Sequence, residues 1–269
     1  MKHKRPHRPA AGKPAAPGGL EAVFGVHAVR ALIERGETPR ELWVQEGSAG
    51  ARLAELVEVA RRGGARIQSR PRDELDRLAQ GAAHQGVVAF TTPLAFEAEN
   101  ALWFRLEAWP HATPPLLLVL DGITDVHNFG ACLRSADAAG VHGVIVAKDK
   151  AAPLNATVRK VACGAAESVP VYQVTNLSRA LVRLKSLGIW VTGTAGEAES
   201  LIFEVDLTGP TALVMGAEGK GMRRLTREAC DQLVKLPMAG SVSSLNVSVA
   251  TGISLFEAVR QRGRATPGT

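Results

Sequence analysis

The hydrophobic positions change their period several times along the chain. Val23, Val26, Val29, Leu32 and Ile33 fall at helical spacing, Glu41-Leu42-Trp43-Val44-Gln45 is a short extended run, and Leu53, Leu56, Val57 and Ala60 mark a second helix. Ala65-Arg66-Ile67-Gln68 reads as a strand, Glu74, Leu75 and Leu78 as a third helix, and Gly86-Val87-Val88-Ala89-Phe90 as another strand. The pattern predicts a small α/β domain over 20–93. Across 94–114 the rhythm lapses into Glu97, Glu99 and Asn100, a Trp- and Phe-containing piece, and Pro110 and Pro114. A linker that packs partly on one neighbour is expected there.

From 115 onward the runs are shorter and more apolar: Leu116 to Leu120, Val144-Ile145-Val146, Ile189-Trp190-Val191, Ala212-Leu213-Val214-Met215 and Gln232 to Leu236. Helical stretches separate them. Strands apolar on both faces, alternating with helices, predict a parallel sheet covered on both sides. Ligands of such sheets bind outside the carboxyl ends of the strands, which directs attention to the loops that follow them.

Composition narrows the class. At 269 residues, 46% hydrophobic and 22% charged, the chain is long enough for two folded domains. No window approaches 18 consecutive apolar residues and the basic N-terminus lacks the apolar core of a secretory leader, so a cytoplasmic protein with no membrane partner is expected. Cys132, Cys163 and Cys230 are far apart and lack metal spacing, which predicts reduced thiols and no metal site. The formal charge of +6 suggests a polyanionic partner. Lys2, Lys4, Arg5, Arg8 and Lys13 stand in an acid-free, proline-rich stretch, so 1–19 is expected to be a disordered basic tail.

Three stretches carry candidate chemistry. In the first, Asn128 and Gly130 fit a loop and helix start, and Arg134 follows six residues on, read as roughly above Asn128. An amide and a guanidinium aimed at one spot suit a phosphate or ribose; the plain alternative is a surface arginine paired with Asp137 or Glu167. The second, Gly216-Ala217-Glu218-Gly219-Lys220-Gly221, follows a strand but is not a nucleotide-binding P-loop, since Gly221 stands where Ser or Thr would hold magnesium. Its glycines allow close backbone approach to a ligand around Glu218, or simply make a turn. The third runs from Gly240 to Ser248, with Ser241, Ser243, Ser244, Asn246 and Ser248. It is either a ligand-holding loop or a serine-rich N-cap for the helix that continues through Ile253, Leu255, Phe256 and Val259.

Taken jointly, Asn128-x-Gly130-x-x-x-Arg134, Gly216-x-Glu218-Gly219-x-Gly221 and Pro237-Met238-x-Gly240-Ser241-Val242-Ser243-Ser244-Leu245-Asn246-Val247-Ser248 resemble the three motifs of the SpoU/TrmH branch of the SPOUT RNA methyltransferases. The similarity runs from about Leu20 to Arg262. It implies an α/β fold: a C-terminal SPOUT domain over 115–269, with a parallel sheet and a deep trefoil knot, preceded by a small α/β RNA substrate-binding domain. It further implies a homodimer and S-adenosyl-L-methionine as methyl donor. By matched position, Asn128, Arg134, Glu218, Ser244 and Asn246 are the implied catalytic residues, and Gly216, Ala217, Gly221, Leu236, Met238 and Leu245 the implied cofactor contacts. The stretches over 131–141 and 161–170, with Ala83-His84-Gln85-Gly86-Val87, resemble the ribosomal subgroup. That implies 2'-O-methylation of a guanosine in the P-site loop of 23S rRNA. A tRNA ribose methyltransferase shares the three motifs, and a non-catalytic RNA-binding assembly factor would be favoured had Asn128, Arg134 or Asn246 been replaced.

The family assigns activation of the ribose hydroxyl to the arginine of its first motif. A guanidinium stays protonated in proteins, so Arg134 is expected chiefly to hold the adjacent phosphate and stabilise developing alkoxide charge. The last helix, expected over 244–262, carries Val249, Ile253, Phe256 and Val259 on one stripe, which predicts that it packs in a dimer interface.

Overall fold

A computed structural model describes residues 19–34, 37–48, 50–79, 81, 83–110 and 113–265, the side chains of 264 and 265 excepted. Apart from Gly19, the basic tail lies outside the described residues. The chain divides into two compact units, Met1–Pro93 and Leu94–Thr269.

The first unit runs β1 (Glu21–Phe24), α1 (Val26–Glu34), β2 (Glu41–Gln45), α2 (Ala51–Arg62), β3 (Arg66–Arg70), α3 (Arg72–Ala79) and β4 (Val87–Thr91). Its sheet has the order β1-β4-β2-β3, with β4 antiparallel to both neighbours and β2 parallel to β3. Strand β4 is buried along its whole length because both faces are covered. Val87 and Ala89 pack with Val29, Leu42, Leu53 and Leu56 beneath α1 and α2, while Val88 and Phe90 pack with Trp43 and Leu75 beneath α3. Val23 belongs to β1 and not to the helix that its spacing suggests. Gly25, at φ 91°, turns the chain between the two, and a Cβ there would stand 2.9 Å from the Ala83 carbonyl.

The second unit holds an eight-stranded sheet of order β10-β12-β9-β11-β6-β7-β8-β5, parallel at every pair. In chain order its elements are β5 (Glu97–Ala98), α4 (Glu99–Glu107), β6 (Leu116–Asp121), α5 (Val126–Ala138), β7 (Gly143–Ala147), α6 (Ala156–Ala162), α7 (Ala165–Ser168) and β8 (Val171–Val174). There follow α8 (Leu177–Ser186), β9 (Trp190–Thr194), β10 (Ser200–Leu201), β11 (Thr211–Gly216), α9 (Arg224–Glu228), β12 (Gln232–Lys235) and α10 (Val247–Ala265). Alternation along β6 builds both halves of the core. Leu116, Leu118 and Leu120 meet α5, α6, α7 and α10 on one face, and Leu117 and Val119 meet α4 and α8 on the other.

The stretch expected to be a linker is part of this unit. Leu102, Trp103 and Leu106 of α4 are buried against the sheet, and β5 adds its edge strand beside β8. Their helical spacing is confined to a nine-residue helix bounded by charged residues, too brief to stand out from the flanking prolines. Strand β8 and the two-residue strands also escape the sequence pattern, each too short to show a period. Among the described residues no helix is long and apolar enough to cross a membrane.

Candidate active site

Three neighbouring strands, β12, β9 and β11, end on the same edge of the sheet, as parallel strands must. The segments that follow them enclose a cavity of about 440 Å³, floored by Met215 and Val234. Gly216, Ala217, Gly221, Leu236, Met238 and Leu245 all line it, as do Glu218 and Ser244. The wall made by Thr194, Ala195, Gly196 and Glu197, together with Arg227, is not anticipated by the sequence motifs. Its signal is a run of small residues, Thr192 to Gly196, at a strand's carboxyl end, obscured because the apolar run of that strand stops at Val191.

The loop after β11 is closed on itself. Ala217 N–H donates to the Gly221 carbonyl (3.1 Å) and Gly221 N–H to the Ala217 carbonyl (2.8 Å), with Gly219 and Gly221 at φ 72° and 63°. A Cβ on Gly216 would stand 2.2 Å from the Gly221 carbonyl carbon. Glycine is demanded at 216 by the loop's own backbone and not by the approach of a ligand, the use expected from the sequence. Asp121, buried at the end of β6, holds this loop from below: its Oδ2 accepts from the Arg223 N–H (2.8 Å) and its Oδ1 from Arg223 Nε (2.5 Å). Both oxygens of one buried carboxylate are thus committed to the residue that leads out of the loop, a role no motif advertised.

On the rim, three of the expected catalytic residues meet. Asn246 Nδ2 donates to Asn128 Oδ1 (2.9 Å) and to Glu218 Oε1 (2.5 Å), and Glu218 Oε1 also accepts from the Val247 N–H (3.2 Å). The other end of the Asn246 amide caps α10: its Oδ1 accepts from the Ser248 N–H (2.9 Å) and from Ser248 Oγ (2.6 Å). The N-cap reading of the serine-rich stretch therefore holds at this residue, while Ser243, Ser244 and Leu245 of the same stretch line the cavity. A carboxylate at the first turn of α10 also lies at the favourable end of the helix dipole. Asn128 is itself placed by the N-cap of α5, since Asp125 Oδ1 accepts its N–H (2.8 Å). Ser244 lines the cavity but makes no hydrogen bond among the described residues.

Arg134 does not join this cluster within one chain. At about 100° per residue, six positions along α5 leave it roughly 120° around the helix from Asn128, so the expectation that the two aim at one spot fails on helical geometry. It is exposed, and it lines a separate groove with His127, Thr157 and Lys160. Nor is it a paired surface arginine: Asp137 accepts from Ser168 Oγ (2.5 Å), and Glu167 is paired with Arg159 (3.0 Å). Gly130 likewise serves packing, because a Cβ there would meet Val161 Cβ at 2.8 Å where α5 and α6 touch.

Cys132 and Cys230 lie close behind the cavity as thiols. Burial pushes Cys132 up to about 11, only partly offset by the Thr251 hydroxyl, with the Glu218 charge adding to the rise. Burial also pushes Cys230 up to about 12. Neither offers a thiolate nucleophile near neutral pH. Among the described residues no three His, Cys, Asp or Glu side chains gather as metal ligands would.

Both units of the chain are similar to known proteins. Residues 115–256 match the model of the SpoU rRNA Methylase family, and residues 22–97 that of the RNA 2'-O ribose methyltransferase substrate binding domain. The chain is 59% identical to the 23S rRNA (guanosine-2'-O-)-methyltransferase RlmB of Pseudomonas aeruginosa, over 90% of this chain and 97% of that protein. The Escherichia coli K12 protein of the same name is 56% identical, over 90% and 99%. Among solved structures, the SpoU methyltransferase AviRb of Streptomyces viridochromogenes in complex with AdoMet superposes with a TM-score of 0.71 at 30% identity, covering 91% of each chain.

Proposed function

The chain belongs to the SpoU rRNA methylase family, and on that premise we propose that it methylates the ribose 2'-oxygen of a guanosine in 23S rRNA, in the P-site loop, using S-adenosyl-L-methionine. In this reading 20–93 binds the RNA, 94–114 leads into the catalytic domain, 115–269 performs the transfer and carries the knot, and the protein works in the cytoplasm as a homodimer. The observation that carries it is the Asn128, Asn246 and Glu218 network on the rim of the cavity.

The cavity's residues suit the cofactor. Its volume is within the range of small-molecule sites, and apolar Met215, Val234, Leu236 and Leu245 beside the doubled backbone of 216–221 offer a slot for a purine edged by amides. Gly216, Ala217, Gly221, Leu236, Met238 and Leu245 would hold it. Bound there, it supplies an electrophilic methyl group on a sulfonium.

The chain supplies positioning and charge. With its Oδ1 engaged by Ser248 and its Nδ2 shared between Asn128 and Glu218, the Asn246 amide cannot flip, and this in turn fixes Asn128 with its Nδ2 left to donate. A fixed amide donor orients a ribose hydroxyl, and fixed orientation is a large share of the rate enhancement of a two-body transfer. Arg134, a guanidinium without an ion-pair partner among the described residues, holds a phosphate of the substrate and lowers the cost of the alkoxide character that develops as the hydroxyl passes its proton to solvent water. Since Arg134 faces away from its own chain's cluster, it serves the site of the second subunit.

The test is methyl transfer from labelled S-adenosyl-L-methionine to protein-free 23S rRNA, followed by nucleoside mass spectrometry. The expected product is one 2'-O-methylguanosine in the P-site loop. Label on a base, or on tRNA alone, overturns the reading.

A further inference from the structure

The groove between α5 and α6 carries positive charge that no carboxylate among the described residues pairs with. His127 and Arg134, seven residues apart on α5, lie on one helix face and line it from one side. Thr157, Lys160, Val161 and Cys163 line it from the other. Its volume is about 700 Å³, and no carboxylate stands among its lining residues. Among the described residues none of His127, Arg134 and Lys160 is in an ion pair. The nearby charges are otherwise engaged: Arg159, next to Lys160, is buried and paired with Glu167, and Asp137 takes the Ser168 hydroxyl. Elsewhere in this unit exposed arginines do find carboxylates, Arg183 with Glu107 and Arg224 with Glu228. The two helices that line it lie close together, because Gly130 has no side chain to hold α5 off Val161 of α6.

We propose that this groove is a track for the phosphodiester backbone of the RNA substrate, in which Lys160 and His127 extend the contact made by Arg134 to the nucleotides flanking the one that is methylated. The proposal rests on the reading of the protein as an RNA methyltransferase. From His127 to Arg134 the helix rises about 10 Å at ~1.5 Å per residue, room for more than one phosphate. The donors are of the kind that position a backbone without reading its bases: an ammonium and a guanidinium at the ends of flexible stems, an imidazole, and the Thr157 hydroxyl.

Lys160→Gln, Lys160→Arg and Lys160→Gln/His127→Gln proteins test it, with the 23S rRNA fragment as substrate. Lys160→Gln is expected to raise the KM for RNA about three- to ten-fold, with kcat changed by less than about two-fold. The slope of log affinity against log salt should flatten by about 0.7 to 0.9 for each phosphate that the variant no longer neutralises. The double variant should lose more, Lys160→Arg should restore the slope, and affinity for S-adenosylhomocysteine should stay within about two-fold in all three, since the groove is not the cofactor cavity. Cys163 supplies an independent readout. It is exposed in the groove while the other two thiols are held protonated by burial, so brief alkylation labels Cys163. The RNA fragment should slow that labelling and S-adenosylhomocysteine should not. An unchanged KM and salt slope in the double variant, or a Cys163 labelling rate indifferent to RNA, overturns the groove as the track. Failure of the wild-type protein to methylate RNA at all instead overturns the proposed function.

Discussion

At position 246 an asparagine uses both ends of its amide, the oxygen to start a helix and the nitrogen to tie Asn128 to Glu218. The two jobs separate by substitution. Serine caps a helix nearly as well as asparagine, whereas alanine forfeits about 1 kcal/mol. Neither keeps the bridging nitrogen. Asn246→Ser is therefore expected to stay within about 0.5 kcal/mol of the parent in urea denaturation, Asn246→Ala to lose about 1 kcal/mol, and both to lose ten-fold or more in kcat, on the scale of a lost charge-assisted hydrogen bond. A normal turnover number in Asn246→Ser sinks the idea that the bridge to Asn128 is used in catalysis. Residue identity made the polar candidates legible, since runs of Ser, Asn and Gly at strand ends are hard to explain by packing. It did not tell which side of a helix each one faces. That took the angular arithmetic that separates Arg134 from Asn128 and groups it with His127.

Among elements, the strands with both faces buried were plain in the sequence because burial on two sides leaves unbroken apolar runs, 116–120 in β6 and 212–215 in β11. What stayed hidden were elements whose reason lies in a partner: β5, two residues long, exists as the edge beside β8, and α4 is apolar only where it meets the sheet. The loop after β11 belongs to the same class. Its glycines were visible, but the residue that clamps it, Asp121, lies some hundred residues earlier, and only the neighbouring of β6 and β11 brings it there. Asp121→Asn keeps the shape and removes the charge, so it weakens hydrogen bonds worth about 1.5 to 3 kcal/mol to a charged partner. The expected outcome is a loss of roughly that size in unfolding free energy, together with weaker binding of S-adenosylhomocysteine, by ten-fold or more in calorimetry, because the loosened loop forms a wall of the cavity. Stability lost with cofactor affinity intact shows that the loop keeps its form without the clamp.

At the scale of the whole molecule, α10 leaves apolar side chains exposed, and the proposed homodimer would use them. Val249, Ile253 and Phe256 of α10 are exposed to 50%, 37% and 49%, on the helix that Asn246 caps. A second copy docked on this face would bury that surface and bring its own Arg134 toward the Asn128 cluster, and a two-fold dimer would do so twice. In such a dimer Asn246 and Arg134 of each site would come from different chains, which can be tested by mixing defects. Arg134→Ala and Asn246→Ser proteins are each expected to be nearly inactive. Co-expressed in equal amounts they form heterodimers as about half of all dimers, and in each heterodimer one site collects both substitutions while the other collects none. Activity should then return to about a quarter of the parent value, one intact site in two across half of the dimers. If both residues acted within one chain, every site in the mixture would remain defective and activity would stay at the level of the single variants. Adding Phe256→Glu to both chains, which sets a charge on the apolar face, should yield monomers by light scattering and abolish the recovery while cofactor binding persists. Parental activity in a monomeric Phe256→Glu protein that carries neither of the other two substitutions would place the whole site in one chain.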